Sequence, residues 1–188
     1  SEIDTNPLDP SVEKIIEGRE QDFEACLLLI SKLTKGKLYL CTSPGTTIPS
    51  GNNIPSGTRS AGGNISRVVV EEFAGPHPAG LPGTHIHFLD PVSRKKTVWT
   101  INAQDVAAIG ALFTKGRLDV MRIVALAGPS VREPRLVRTR LGASLSDLTT
   151  GELKEGVHRV VSGSVLAGFH AVNAMSFLMR RRSTTTRR

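Results

Sequence analysis

The sequence is poor in aromatic residues, at 4%, with one Trp and one Tyr, and it holds only two cysteines, Cys26 and Cys41, in 188 residues. Two thiols make no disulfide framework and, lying in no CxxC pair and near no His at metal spacing, they read as small buried apolar groups in a reduced setting. So few aromatics leave little for stacking on nucleic-acid bases. Charge of one sign is also scarce outside one place. The net +7 is carried largely by Arg180, Arg181, Arg182, Arg187 and Arg188, and without them 19 basic residues face 17 acidic ones, a surplus of +2. The basicity is a tail and not a face, and no nucleic-acid partner is expected.

The opening SEIDTNPLDP has no basic n-region and no apolar h-region, so no secretory signal is expected there. Val160 to Met179 carries no formal charge and is followed by three arginines, the outline of a spanning helix. Its interior is broken by Ser162, Gly163, Ser164, Gly168, His170, Asn173 and Ser176, which fits a strand, a Ser-Gly-Ser turn and a short helix better than a span.

What is present is an ordinary hydrophobic share of 39% and a rhythm of elements that suits an α/β fold class. Asp9 as N-cap with Pro10 at the first helical position introduces a short helix bearing Val12, Ile15 and Ile16 on one face. Phe23, Cys26, Leu27, Ile30 and Leu33 follow the helical period, and Gly36 ends that helix. KLYLC and RVVVEEF read as strands, separated by a long Gly/Ser/Pro loop over residues 44–66 that contains no phosphate-binding fingerprint. KTVWTI is expected as a strand, and Asn102 with Asp105 opens a helix that Gly116 closes. RIVALAGP, RLVRTRLG, a short helix capped by Ser144, and HRVVSG then change the rhythm, so a second small domain begins near Asp119. The tail RRRSTTTRR is expected to be disordered, low in complexity as tags and fusion scars are.

Chemistry concentrates in AGPHPAGLPGTHIHFLDP. One reading takes His85 and His87 as an HxH pair on a strand, with His77 as third metal ligand, although only Asp90 stands by to complete the set. A second places Gly80, Gly83 and Thr84 at the start of a helix after Pro82, where backbone N–H groups suit a phosphate, carboxylate or quinone oxygen. A third sees only prolines fixing a turn and glycines where backbone crowds. Arg132, Arg135, Arg138 and Arg140 either grip an anion or form a solvated strand face. No catalytic constellation is present: GxSxG, HExxH and paired carboxylates are absent.

The string AGPHPAGLPGTHIHFLDPVSRKKTVWTINAQDVAAIGALFTKGRL, with DTNPLDP before it and RIVALAGPSVREPRLVRTRLGASLSDL after it, resembles the A-type subunit of the bacterial Na⁺-translocating NADH:quinone oxidoreductase from about Asp4 to about Leu178. The resemblance implies a Rossmann-like domain over residues 1–118 and a small β-grasp, SLBB-like domain over 119–179, both similar to the NADH-oxidising subunit of respiratory complex I. It implies an internal fragment, inactive alone, of a peripheral subunit on the cytoplasmic side of the inner membrane, with no transmembrane segment in this chain. The partners implied are the other subunits, the B-type subunit especially, and ubiquinone as the complex's substrate. No cofactor is expected on this fragment, since the flavin-phosphate motif is missing and two Cys cannot hold a four-Cys cluster; NAD, flavins and iron–sulfur centres belong to other subunits. No metal site is carried over. His77, Gly80, Gly83, Thr84 and His85 are the residues expected to contribute to quinone interaction, the alternative being a docking scaffold without a ligand site.

Overall fold

A computed structural model describes residues 5–46, 68–171, 177–178 and 183–187. They fall in two compact units, one drawn from Ser1–Thr5 and Ser11–Asp119, the other from Asn6–Pro10 and Val120–Arg188.

In the first unit, α1 (Val12–Ile16) is capped by Ser11, whose hydroxyl accepts from the Lys14 amide. Asp9, the expected cap, stands two residues too early to reach that amide. α2 (Glu20–Leu33) follows, with Glu20 and Asp22 in its first turn and Lys32 in its last, each complementing the helix dipole. It stops at Thr34, which is already extended, before Gly36. After α3 (Pro82–Leu89), α4 (Ala103–Lys115) has both expected caps: the Asn102 side chain accepts from the Asp105 amide, and Gly116 takes the left-handed conformation at φ 68°.

β1 (Leu38–Thr42) and β2 (Val68–Glu72) pair in parallel, Leu40 opposite Val70. Val12, Ile15 and Ile16 of α1, Phe23, Cys26 and Leu27 of α2, Leu40 of β1, and Ala103 and Val106 at the start of α4 form one buried cluster. The parallel strands are joined through residues 43–67, and most of the long loop expected over 44–66 lies outside the described residues.

The expected strand KTVWTI is not formed; residues 97–102 are irregular and Trp99 is 89% exposed. Its β-branched and aromatic residues favour extended backbone, but no neighbouring strand among the described residues offers a ladder, and propensity without a partner makes no sheet.

The second unit is a five-stranded sheet whose strands lie in the order Arg135–Arg140, Met121–Ala127, Ser183–Arg187, Arg159–Ser162, Phe169–His170. β3 (Met121–Ala127) and β4 (Arg135–Arg140) are antiparallel with Val124 opposite Val137. α5 (Leu145–Thr149), capped by Ser144, places Leu145 against Val124 and Leu178. β5 (Arg159–Ser162) pairs with the two-residue β6 (Phe169–His170). The short helix expected after the Ser-Gly-Ser turn is not seen at Phe169–His170, and residues 172–176 and 179–182 are outside the described residues.

The expected disorder of the tail at 180–188 is corrected for Ser183–Arg187, which forms β7, parallel to β3 and antiparallel to β5. Three consecutive β-branched threonines favour extended backbone, and the groove between β3 and β5 supplies hydrogen-bond partners on both sides. No helix among the described residues is long and apolar enough to cross a membrane.

Candidate functional site

Past β2 the chain turns through Pro76 to Leu81 and enters α3, with Pro82 at the first helical position, where its missing N–H costs nothing. The turn is tied to the N-terminal segment. The Gly80 amide donates to Thr5 Oγ1 at 3.0 Å, and the same oxygen lies 3.2 Å from His77 Nδ1. Gly80 is buried there, and a β-carbon on it would come within 2.5 Å of the Thr5 amide nitrogen, so only glycine fits.

The turn is also tied to α3. Thr84 Oγ1 donates to the Pro78 carbonyl at 2.9 Å, and the amides of Thr84 and His85 both return to Leu81 O. His85 is 3% exposed, its Nε2–H donates to Ala79 O at 2.8 Å, and its ring lies 4.2 Å from that of Phe73. Burial pushes its pKa below the ordinary histidine value, with the Ala79 carbonyl acting in the opposite direction. The imidazole is therefore neutral near pH 7, a packed strut between Phe73 just past β2, the turn and α3.

This geometry sorts the expected residues. His77, Gly80, Thr84 and His85 do come together, within one turn, but their polar groups face Thr5, Pro78 and Ala79. Gly83 alone is exposed with open space around it. The HxH metal reading fails on secondary structure: the pair lies on a helix, where residues two apart point to different sides, so His85 is buried and His87 exposed. Among the described residues no group of three or more His, Cys, Asp or Glu is placed to hold a metal ion.

Burial pushes the Cys26 thiol up to about 11, against a weaker opposing contact from the Gly110 backbone, which makes it a poor thiolate donor. The arginine set is not an anion grip. Arg135 holds Glu152 through two bonds of 2.7 and 2.6 Å, and Arg132 Nε donates to Leu153 O. Arg138 and Arg140 lie on the exposed side of β4.

Thr5 is a site residue that the sequence does not announce. DTNPLDP carries no sign of it, because the contact spans 72 residues to His77 and 75 to Gly80. Phe73, at the end of the strand candidate, is equally silent about its ring contact with His85.

Residues 1–118 match the family model described as the NqrA second alpha/beta domain, and residues 123–172 match the one described as the NQRA C-terminal domain. Similar proteins include the A-type subunit of the Na(+)-translocating NADH-quinone reductase of Pasteurella multocida (strain Pm70), 54% identical over 178 residues, which is 95% of this chain and 37% of that protein. The corresponding subunit of Marinomonas sp. (strain MWYL1) is 51% identical over 95% of this chain and 37% of its own length. That of Cellvibrio japonicus (strain Ueda107) is 54% identical over 180 residues, again 95% and 37%. The chain thus spans 37% of the length of these curated relatives. With family models matched over both units and about half of the residues identical to these relatives, the chain belongs to the NqrA family, the A-type subunits of the Na⁺-translocating NADH-quinone reductases.

Proposed function

We propose that this chain serves a Na⁺-translocating NADH:quinone oxidoreductase as a part of its NqrA subunit, and that its own task there is assembly: it docks neighbouring domains and subunits, the B-type subunit among them. The sustained identity to subunits of that name motivates the placement. The observation that carries the docking role is the closed turn. The donors of Gly80, Thr84 and His85, expected to meet a quinone oxygen, are already bonded within the protein.

In this reading the first unit is a Rossmann-like layer kept as scaffold, supported by parallel β1 and β2 with α2 and α4 beside them. The second is a β-grasp, supported by the strand order and by β3 and β7 running parallel within the sheet. Electrons pass elsewhere in the complex, through NAD, flavins and iron–sulfur centres on other subunits, and the chain sits on the cytoplasmic side of the membrane.

A direct quinone contact is the second reading, favoured by the exposed Gly83 and the half-buried His77 at the mouth of the turn. An amide-resolved NMR titration with a short-chain ubiquinone separates the two, with FMN and NADH as controls. Assembly alone predicts no saturable shift from any of the three. Quinone shifts clustered at His77 to Thr84 would move the second reading to first place.

A further inference from the structure

Beyond α3 the chain makes a tight turn whose composition the docking role leaves unused. Ser93 and Lys96 bond each other's backbone in both directions, at 3.3 and 3.1 Å, and the Ser93 hydroxyl accepts from the Lys95 amide. This holds Arg94 and Lys95 at the tip. Lys96 is neutralised by Asp90, whereas Arg94 and Lys95 are exposed and have no acidic partner among the described residues. Apolar side chains flank the tip without cover: Phe88 is 72% exposed, Val92 60% and Trp99 89%.

Exposed apolar side chains this large and this near one another along the chain call for an occupant, and the interleaved charges indicate which. Protein interfaces also favour tryptophan and arginine but are depleted in lysine. A bilayer surface takes all three: Trp settles at the headgroup level and Lys or Arg is drawn to anionic lipid.

We propose that the segment from Phe88 to Trp99 docks on the surface of an anionic lipid bilayer, with Arg94 and Lys95 on the headgroups and Trp99 and Val92 in the interfacial layer. The proposal rests on the reading that the chain serves a sodium-translocating, hence membrane-borne, reductase, and it adds a direct lipid contact to that reading.

Trp99 is the single tryptophan of the chain, so its emission reports the site without interference. The 188-residue chain is titrated with vesicles of phosphatidylcholine alone and with vesicles containing phosphatidylglycerol. The expected result is a saturable blue shift and loss of acrylamide quenching with the anionic vesicles only, reversed by added salt. Arg94→Ala with Lys95→Ala should weaken lipid binding by about tenfold or more. Both side chains are exposed, so the double variant stays folded, and cosedimentation of Trp99→Ala gives a second readout. No shift with either vesicle, or an equal shift with both, overturns the proposal. A shift produced only by reductase lacking its NqrA subunit, in lipid-free detergent, assigns the segment to a protein partner and also overturns it. Those failures leave the place in the complex intact, which fails separately if the chain does not copurify with the other subunits.

Discussion

The main-chain carbonyl of Asp22 on α2 occupies the place where a β-carbon on Gly110 of α4 would have to sit. The two helices meet backbone to backbone at that point, and the contact is closed by the Asp22 carboxylate, which accepts from Thr114 Oγ1 at 2.7 Å and from Lys115 Nζ at 2.6 Å. The core cluster that carries β1 is built on this pair of helices together with α1.

Gly110→Ala should therefore cost at least about 3 kcal/mol, the upper end of overpacking penalties, because the obstruction is main chain and not a flexible side-chain end. Urea unfolding of the variant checks this. Gly83→Ala is the contrast: its β-carbon meets nothing, and the position is helical, so a gain of about 0.5–1 kcal/mol is expected.

Burial raises the Asp22 carboxyl, but the hydrogen bonds from Lys115 and Thr114 outweigh it and hold its pKa below the ordinary value. The contribution is present above pH 3.8 and is lost as pH falls through the lower folded value. Asp22→Asn should cost about 2 kcal/mol at pH 7, discounted because Lys115 is half exposed and can turn to water. Acid unfolding curves of the variant should be correspondingly flatter.

His85 gives the opposite sign. Its folded pKa lies below the ordinary 6.5 because burial disfavours the imidazolium. Above pH 6.5 both states are neutral; as pH falls below it the unfolded chain takes a proton that the folded chain refuses, so stability declines until the folded value is reached. Urea midpoints at about pH 7.5 and about pH 5.5, either side of the ordinary histidine value, should differ in the parent and differ less in His85→Gln. Equal slopes in the two proteins would refute this.

Thr5→Val keeps the shape of the side chain but leaves the buried Gly80 amide without its acceptor, a loss of about 1–3 kcal/mol. Faster hydrogen exchange at Gly80, with α4 unaffected, is the expected signature.

How far the residues themselves announce this structure can be followed one at a time. α2 and α4 are readable because period and caps are local: Asn102 and Gly116 act within four residues of their partners. Pro82 marks the start of α3 for the same reason. Ser11, and not the expected Asp9, caps α1 because it sits next to the helix start and its hydroxyl reaches the Lys14 amide. KTVWTI and STTTR show the limit. Both have strand propensity, but only the second has strands on either side of it, and no local feature records which neighbour is there. The candidate site is legible as a turn, while its closed character depends on Thr5, which lies far away along the chain.

The assembly role proposed for this chain within an NqrA subunit is tested by exchanging the matched segment of a relative's NqrA for this sequence, purifying the reductase, and assaying both subunit composition and NADH:quinone reductase activity. A complete complex that reduces quinone is expected, since the folded units and the closed turn come with the sequence. A folded chimeric NqrA recovered without its partners would contradict that role.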